Sequence, residues 1–169
     1  MSAAPLLDVQ DLHKAFGGIA AVDGVSFRLA RGELLAMIGP NGAGKSTCFN
    51  CINGQLQPDR GAVRLDGRDI AGLRPRAIWR LGVGRTFQVA ATYASMTVAE
   101  NVQVALLSRE RQLLKWWPRA AAMHRAEALE LLDQVGLRAL ADQPCSALAY
   151  GDIKTVELAV ALANRPSLL

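Results

Sequence analysis

The sequence predicts an α/β fold, because two kinds of pattern follow one another along the chain. Short apolar segments bounded by glycine, typical of strands, occur up to about Gly67, and helical spacing of apolar residues begins near Arg74. Between the early strands, the apolar segment 34–38 leads into the glycine-rich segment 39–47 and then a helical pattern that reaches about Asn53. A strand, a glycine-rich turn and a helix in this order are typical of proteins that bind nucleotides.

Three further segments predict the strands of a small antiparallel sheet beside the segment 34–38. They are residues 6–9, 22–29 and 61–67. In the second of them, apolar residues alternate with Ser26 and Arg28, so one face of that strand should be buried and the other exposed.

The second half of the chain predicts helices. Thr97 and Glu100 have the spacing of a capping box, in which each side chain accepts a hydrogen bond from a backbone N–H group at the start of a helix. A second helical pattern ends at Gly136, a residue type that favours a C-terminal stop. A third helix is predicted to follow Gly151.

Composition limits the class of protein. The 169 residues are 51% hydrophobic and 20% charged, a balance typical of a globular domain. The longest apolar runs are shorter than the roughly 18 residues that a membrane span needs, and the start of the chain lacks a secretory signal, so we expect a cytoplasmic protein. The net charge of +4 is compatible with phosphate binding, but the arginines are scattered and we expect no nucleic-acid partner.

The three cysteines predict buried thiols. Cys48 and Cys51 have C-x-x-C spacing but fall one turn apart on the helix that follows the glycine-rich segment. With Cys145 they make an odd number, and no second pair completes a zinc set. Reduced, buried thiols therefore account for them better than a metal site or a disulfide.

The segment 39–47 matches the phosphate-binding loop pattern G-x-x-x-x-G-K-[ST]. Its glycines allow backbone N–H groups to point at phosphate oxygens, and the helix that follows adds a partial positive charge. Lys45 supplies a full charge for the β- and γ-phosphates, and the Ser46 hydroxyl is placed to coordinate Mg²⁺. We therefore predict ATP and Mg²⁺ as cofactors. This phosphate loop comprises Gly39, Pro40, Asn41, Gly42, Ala43, Gly44, Lys45, Ser46 and Thr47.

Five stretches together give the chain a family resemblance. They are residues 16–18, 39–47, 84–88, 96–102 and 148–152. In this combination the whole chain resembles the ATP-binding subunit of ABC transporters, most closely the subunits of branched-chain amino-acid importers and their urea-importer relatives. The resemblance implies a P-loop NTPase core with an N-terminal antiparallel β subdomain and an α-helical subdomain.

The resemblance also implies roles for two residues outside the phosphate loop. Phe16 is similar to the family's aromatic residue that stacks on adenine, although a core aromatic is the alternative. Gln88 is similar to the glutamine that contacts Mg²⁺ and the attacking water, and whose loop reports nucleotide state to the membrane subunit.

Residues 148–152, which we call the signature segment, resemble the family motif that closes over the ATP of a second, head-to-tail copy. The commoner form of the motif has Ser, Gly and Gln where this chain has Ala149, Tyr150 and Asp152. The loss of a serine hydroxyl removes one phosphate ligand, and Asp152 adds a negative charge near the cleft. The segment comprises Leu148, Ala149, Tyr150, Gly151 and Asp152.

The resemblance implies a single ABC nucleotide-binding domain over residues 1–169 that is incomplete. Residues 1–87 would form the core and the antiparallel sheet, 88–150 the helical subdomain, and 151–169 the signature helix and the opening of the next core strand. The family's Asp-Glu motif, which supplies the general base, and its switch histidine have no counterpart here. We therefore expect weak ATP binding and negligible hydrolysis by this chain alone, with no complete catalytic set.

The sequence thus predicts the energy-coupling subunit of an importer, with branched-chain amino acids as the expected cargo. Its expected partners are a second ATP-binding subunit and membrane permease subunits, which would hold it at the inner face of the cell membrane. The alternatives are a non-catalytic nucleotide-binding remnant and an importer subunit for urea or another small polar solute. A soluble ABC ATPase or a P-loop kinase is a third alternative, but the signature segment argues against the kinase.

Overall fold

The computed structural model of the protein describes residues 4–86, 92–109 and 123–169. These residues form two compact units. Of the described residues, the first unit comprises 4–83 with Leu168, and the second comprises 84–86, 92–109 and 123–167 with Leu169.

The first unit is built on a four-stranded antiparallel sheet in the order β2-β1-β3-β4. Its strands are β1 (Leu7–Phe16), β2 (Ile19–Leu29), β3 (Arg60–Leu65) and β4 (Arg68–Asp69). The expected antiparallel sheet is confirmed, with β1 and β2 longer than predicted. Gly17 and Gly18 join β1 to β2 with φ angles of 54° and 84°, a two-residue turn whose positive φ values suit the twist of a hairpin.

Alternation along β2 agrees with the prediction from the sequence. Val25 and Phe27 are half-buried and Leu29 is buried, whereas Ser26 and Arg28 are exposed. One face of β2 therefore packs on the core of the unit, in which the helices α1 (Lys45–Ile52) and α2 (Pro75–Arg80) take part.

The prediction of a strand at residues 34–38 is wrong. These residues lie outside the four-stranded sheet, and Leu34 and Ile38 are 95% and 92% exposed. A strand needs a neighbour to satisfy its backbone N–H and C=O groups, and no strand of the described part of the chain pairs with this segment. Leu168 makes one parallel bridge, with Val83, rather than with residues 34–38.

The second unit is helical, as predicted. It contains α3 (Val98–Arg109), α4 (Arg125–Gln134) and α5 (Tyr150–Leu162), with short 3₁₀ turns at Arg138–Leu140 and Cys145–Ala147. The three helices share one apolar core. Its fully buried side chains include Val98, Val102, Leu106, Ala128, Leu132 and Val156.

Both helix-end predictions are confirmed. The Thr97 N–H donates to Glu100 Oε2 at 2.8 Å, and the Glu100 N–H donates to Thr97 Oγ1 at 3.2 Å, which is the reciprocal capping box. At the end of α4, Gly136 has φ 77°. Its N–H donates to the Asp133 carbonyl, and the Leu137 N–H donates to the Leu132 carbonyl, the paired bonds of a Schellman motif.

None of the helices within the described ranges combines the length and the apolar character needed to cross a membrane.

Candidate nucleotide-binding site

The phosphate loop turns sharply before α1. Gly42 and Gly44 have φ angles of 84° and 82°, in the left-handed region that favours glycine. Within the turn, the Ala43 N–H donates to the Pro40 carbonyl at 3.2 Å. The chain then enters α1 at Lys45 with Gly44 as its N-terminal cap.

Two features require glycine at position 44: its positive φ angle, and the lack of room for a side chain. A Cβ atom at this position would overlap the carbonyl oxygen of Ala21, on β2. The loop is therefore seated directly against the sheet, which fixes its position relative to the β1–β2 hairpin. At Gly42 a Cβ atom would meet nothing within 4 Å, so only the backbone conformation calls for glycine there.

The side chain of Lys45 curls back over the loop. Its Nζ donates to the carbonyl oxygens of Gly39 and Pro40 at 2.5 Å and 2.6 Å. Because Nζ is held by the backbone of the same turn, its charge lies close to the loop. This is where a polyphosphate bound to the loop would present its oxygens.

The start of α1 offers backbone donors to an anion. The first N–H groups of a helix, here those of Lys45, Ser46 and Thr47, have no acceptor within the helix, and the helix dipole makes this end partially positive. No acidic side chain lies in the first turn of α1 to compete for these donors. The geometry and the charge both suit phosphate.

A divalent cation at this site would be coordinated by Ser46 and by the phosphates of the nucleotide together. The Ser46 side chain is exposed at the first turn of α1. Across the described ranges, no three His, Cys, Asp or Glu side chains come close enough to hold a metal ion by themselves. Mg²⁺ commonly binds through one or two protein oxygens plus substrate phosphates, so the donors present fit Mg²⁺ carried with ATP. Gln88, the other predicted metal contact, lies outside the described residues.

Phe16 ends β1 and is 48% exposed, so it is no core aromatic. Lys14 Nζ lies 5.6 Å from the centroid of its ring, a cation–π distance. Lys14 also pairs with Asp59 at 2.6 Å, and this contact is the largest cause of a lowered pKa for that carboxyl. Sequence reasoning missed Lys14, because its ion-pair partner Asp59 lies 45 residues later in the chain.

The signature segment opens α5 in the second unit. Ala149 is the N-terminal cap, in an extended conformation with no side-chain capping bond, and Tyr150, Gly151 and Asp152 form the first turn. Tyr150 is 68% exposed, and Lys154 Nζ lies 5.6 Å from its ring centroid. The negative charge of Asp152 favours the helix start but would compete with an anion bound there.

Sequence reasoning also missed Asn101. It is 4% exposed on α3, and its amide lies within hydrogen-bonding distance of the N–H and carbonyl of Tyr93, the carbonyl of Thr97 and the Sγ of Cys145. The only local signal is its place four residues after the capping residue Thr97, on a turn that packs into the core.

The fold and the phosphate loop define a nucleotide-binding protein, and comparison with known proteins gives the family. The chain belongs to the ABC transporter family, whose model matches residues 22–169. That range takes in both the phosphate loop and the signature segment.

Three curated relatives illustrate the match. The high-affinity branched-chain amino acid transport ATP-binding protein BraF of Pseudomonas aeruginosa is 39% identical over 175 residues, covering 98% of this chain and 68% of the relative. LivG of Salmonella typhimurium, with the same description, is 39% identical over 172 residues, with the same coverage. The methionine import ATP-binding protein MetN of Brucella abortus is 36% identical over 174 residues and is covered over 44% of its length.

Solved structures agree. The ADP conformation of MJ1267, an ATP-binding cassette of an ABC transporter, superposes with a TM-score of 0.84 at 34% identity. The match covers 97% of this chain and 66% of that structure. A nucleotide-free ATP-binding cassette from an ABC transporter gives a TM-score of 0.82 at 34% identity. The α/β fold predicted from the sequence is therefore confirmed, and the chain spans about two thirds of the length of BraF, LivG and these two structures.

Proposed function

We propose that the protein binds Mg²⁺–ATP at the phosphate loop and serves as the energy-coupling subunit of an ABC importer. The observation that carries this proposal is the loop itself. Its turn is seated on β2 through Gly44, and Lys45 Nζ is held over it by two carbonyl oxygens. Backbone donors, a helix N-terminus and a fixed ammonium group converge on one place, and this combination suits a polyphosphate.

In this proposal, each part of the site has one task. The N–H groups at the start of α1 bind the phosphate oxygens, and Lys45 exchanges its two backbone acceptors for the β- and γ-phosphates. Mg²⁺, held by Ser46 and Gln88, would neutralise charge that develops during phosphoryl transfer. Phe16, exposed at the end of the hairpin whose second strand bears Ala21, stacks on adenine.

The signature segment serves a second copy of the chain. The exposed first turn of α5 presents N–H groups from which an anion on a facing protein can accept hydrogen bonds. Two subunits arranged head to tail would place each signature segment against the ATP of the other. Permease subunits would hold this pair at the inner face of the membrane.

Branched-chain amino acids are the cargo that we propose. BraF and LivG, which are described as branched-chain amino acid transport proteins, match with 39% identity, whereas the methionine importer MetN matches with 36%. Uptake of leucine, methionine and urea by vesicles that contain the protein and its permease would separate these cargoes.

The nucleotide proposal is tested by calorimetry with Mg²⁺–ATP on the wild type and on Lys45→Ala. Loss of a hydrogen-bonded charge should weaken binding about 10- to 100-fold. Arg31→Ala is the matched control, because it removes one positive charge from the same unit at a residue that pairs with Asp66 instead. Equal affinity in Lys45→Ala and wild type would overturn the proposal.

A further inference from the structure

The turn that precedes the signature segment is attached to the segment that leads into α3. The Cys145 N–H donates to the Met96 carbonyl at 3.0 Å, and the Ser146 N–H donates to the Ala94 carbonyl at 3.0 Å. Two more backbone bonds join the start of α3 to residues 141–143. The chain before the signature segment is therefore held by another part of the same unit.

Asn101 lies at the centre of this attachment. Its Oδ1 accepts a hydrogen bond from the Tyr93 N–H at 2.7 Å, and its Nδ2 lies 3.1 Å from the Tyr93 carbonyl. The same Nδ2 donates toward the Thr97 carbonyl at 2.9 Å and Cys145 Sγ at 3.2 Å. One buried amide thus contacts the segment before α3, the start of α3 and the turn before the signature segment.

The chemistry of the side chain matters here. An amide accepts a hydrogen bond from the Tyr93 N–H and has two hydrogens to share among its three neighbouring acceptors, whereas a carboxylate lacks the donors and an aliphatic group lacks both functions. Cys145 can accept a hydrogen bond as a neutral thiol, and burial raises the pKa of that thiol, which keeps it protonated at neutral pH. Asn101 and Cys145 therefore form a neutral contact that persists across the physiological pH range.

This contact reaches the signature segment within a few residues. Cys145 begins the 3₁₀ turn Cys145–Ala147, Leu148 ends it, and Ala149 caps α5. Because no side chain caps α5, the position of its first turn depends on the backbone that enters it. That backbone is fixed by the bonds to Met96 and Ala94 and by the amide of Asn101.

We propose that Asn101 is a positioning residue for the signature segment, which sets where the first turn of α5 stands against the nucleotide of a second copy. This inference rests on the proposed function. Asn101 itself touches no nucleotide. It acts through Cys145 and the 3₁₀ turn.

The test compares two buried amides on the same helix. Gln103 is 3% exposed and donates to the carbonyl of Met123, in the turn before α4, at 2.6 Å. Asn101→Leu and Gln103→Met each replace an amide with an apolar side chain of similar size. The full-length gene product, assembled with its permease, is assayed for ATPase kcat and KM. The affinity of the free subunit for a fluorescent ADP analogue is measured alongside.

Asn101→Leu should lower kcat roughly 10- to 100-fold, the effect of a small misplacement of a reacting partner. ADP affinity should stay within about twofold, because the proposed contacts of that ligand, the phosphate loop and Phe16, all lie in the first unit. Gln103→Met should keep kcat near the wild-type value. Equal losses in both variants, or no loss in Asn101→Leu, would overturn the inference.

Cys145→Ala provides a second variant if Asn101→Leu does not fold. It removes the acceptor at the turn but leaves the backbone bonds of Asn101 to Tyr93 in place, so kcat should fall by a smaller factor with ADP affinity unchanged. An unchanged kcat in this variant contradicts the inference. A wild-type complex that shows no ATPase activity at all contradicts the proposed function instead, so the two failures are distinguishable.

Discussion

Gly44 and Ala21 are in such close approach that a single side-chain carbon on Gly44 would overlap the Ala21 carbonyl oxygen. This approach joins the phosphate loop to the sheet, and it makes the shape of the loop depend on a strand more than twenty residues earlier in the chain.

Gly44→Ala should therefore damage both stability and nucleotide binding. The left-handed φ angle of 82° alone costs about 1–2 kcal/mol for an L-residue, and the overlap with Ala21 forces the loop away from β2. Gly42→Ala is the matched control, since it has a similar φ angle of 84° and open space around it. Denaturant unfolding and calorimetry should show the larger loss in Gly44→Ala, and equal losses would contradict this account.

Because of Glu127, the second unit should become less stable as the pH falls into the acidic range. The Arg109 guanidinium, with a smaller contribution from Arg165, lowers the pKa of Glu127 below its ordinary value of 4.5. Because the folded-state pKa is the lower one, the stabilisation is complete above the unfolded-state pKa and is lost as the pH falls through the folded-state value. Glu127→Gln should thus melt below the wild type at pH 7.

The difference between Glu127→Gln and wild type should shrink as the pH falls below about 4.5, the ordinary pKa of a glutamate. Exposed Glu130, on the same helix, provides the control, and Glu130→Gln should leave the melting temperature nearly unchanged at pH 7. A Glu127→Gln protein as stable as the wild type at pH 7 would contradict the role assigned to the arginines.

The thiol of Cys48 should be inert at neutral pH. Burial, with a smaller contribution from Cys51, raises its pKa to about 11. The native protein should react slowly with a disulfide reagent at pH 8 and quickly after denaturation. Because the unfolded thiol ionises first, near its ordinary value of 9.0, stability should fall as the pH rises from about 9 to 11. Cys48→Ala should flatten that slope, and rapid native labelling of Cys48 would refute its burial.

Leu34 and Ile38 should cause self-association of the 169-residue polypeptide when it is purified alone. Both are more than nine-tenths exposed, in a segment outside the described sheet. An exposed apolar segment of this kind promotes aggregation. Leu34→Ser combined with Ile38→Ser should reduce light scattering, whereas Ile19→Ser, at an exposed hairpin position, should reduce it less. A monomer with a sharp cooperative melt would contradict this prediction.

Features that depend on neighbouring residues were predictable from the sequence. The capping box of Thr97 and Glu100 and the helix stop at Gly136 each involve only a few consecutive residues. The sequence pattern alone was therefore enough to predict them. The alternation in β2 was predictable for the same reason. The phosphate-loop pattern, too, is local.

Features that depend on distant partners were not predictable in this way. The segment 34–38 has the composition of a strand, but strand formation requires a partner whose position the local pattern does not contain. The roles of Asn101 and Lys14 arise from contacts across 44 and 45 residues of sequence, with Cys145 and Asp59. The place of Asn101 four residues after Thr97 does not reveal its contact with Cys145, and no local pattern marks the contact of Lys14 with Asp59.

The two carbonyl acceptors of Lys45 have a consequence for the energetics of ligand capture. Its ammonium group already donates hydrogen bonds to the carbonyl oxygens of Gly39 and Pro40. When a polyphosphate binds, the gain in interaction energy is therefore only the difference between bonds to charged phosphate oxygens and bonds to uncharged carbonyl oxygens. The turn is pre-organised, and capture should require little rearrangement of the main chain. Release is eased for the same reason, since the lysine can return to its former acceptors as the product departs.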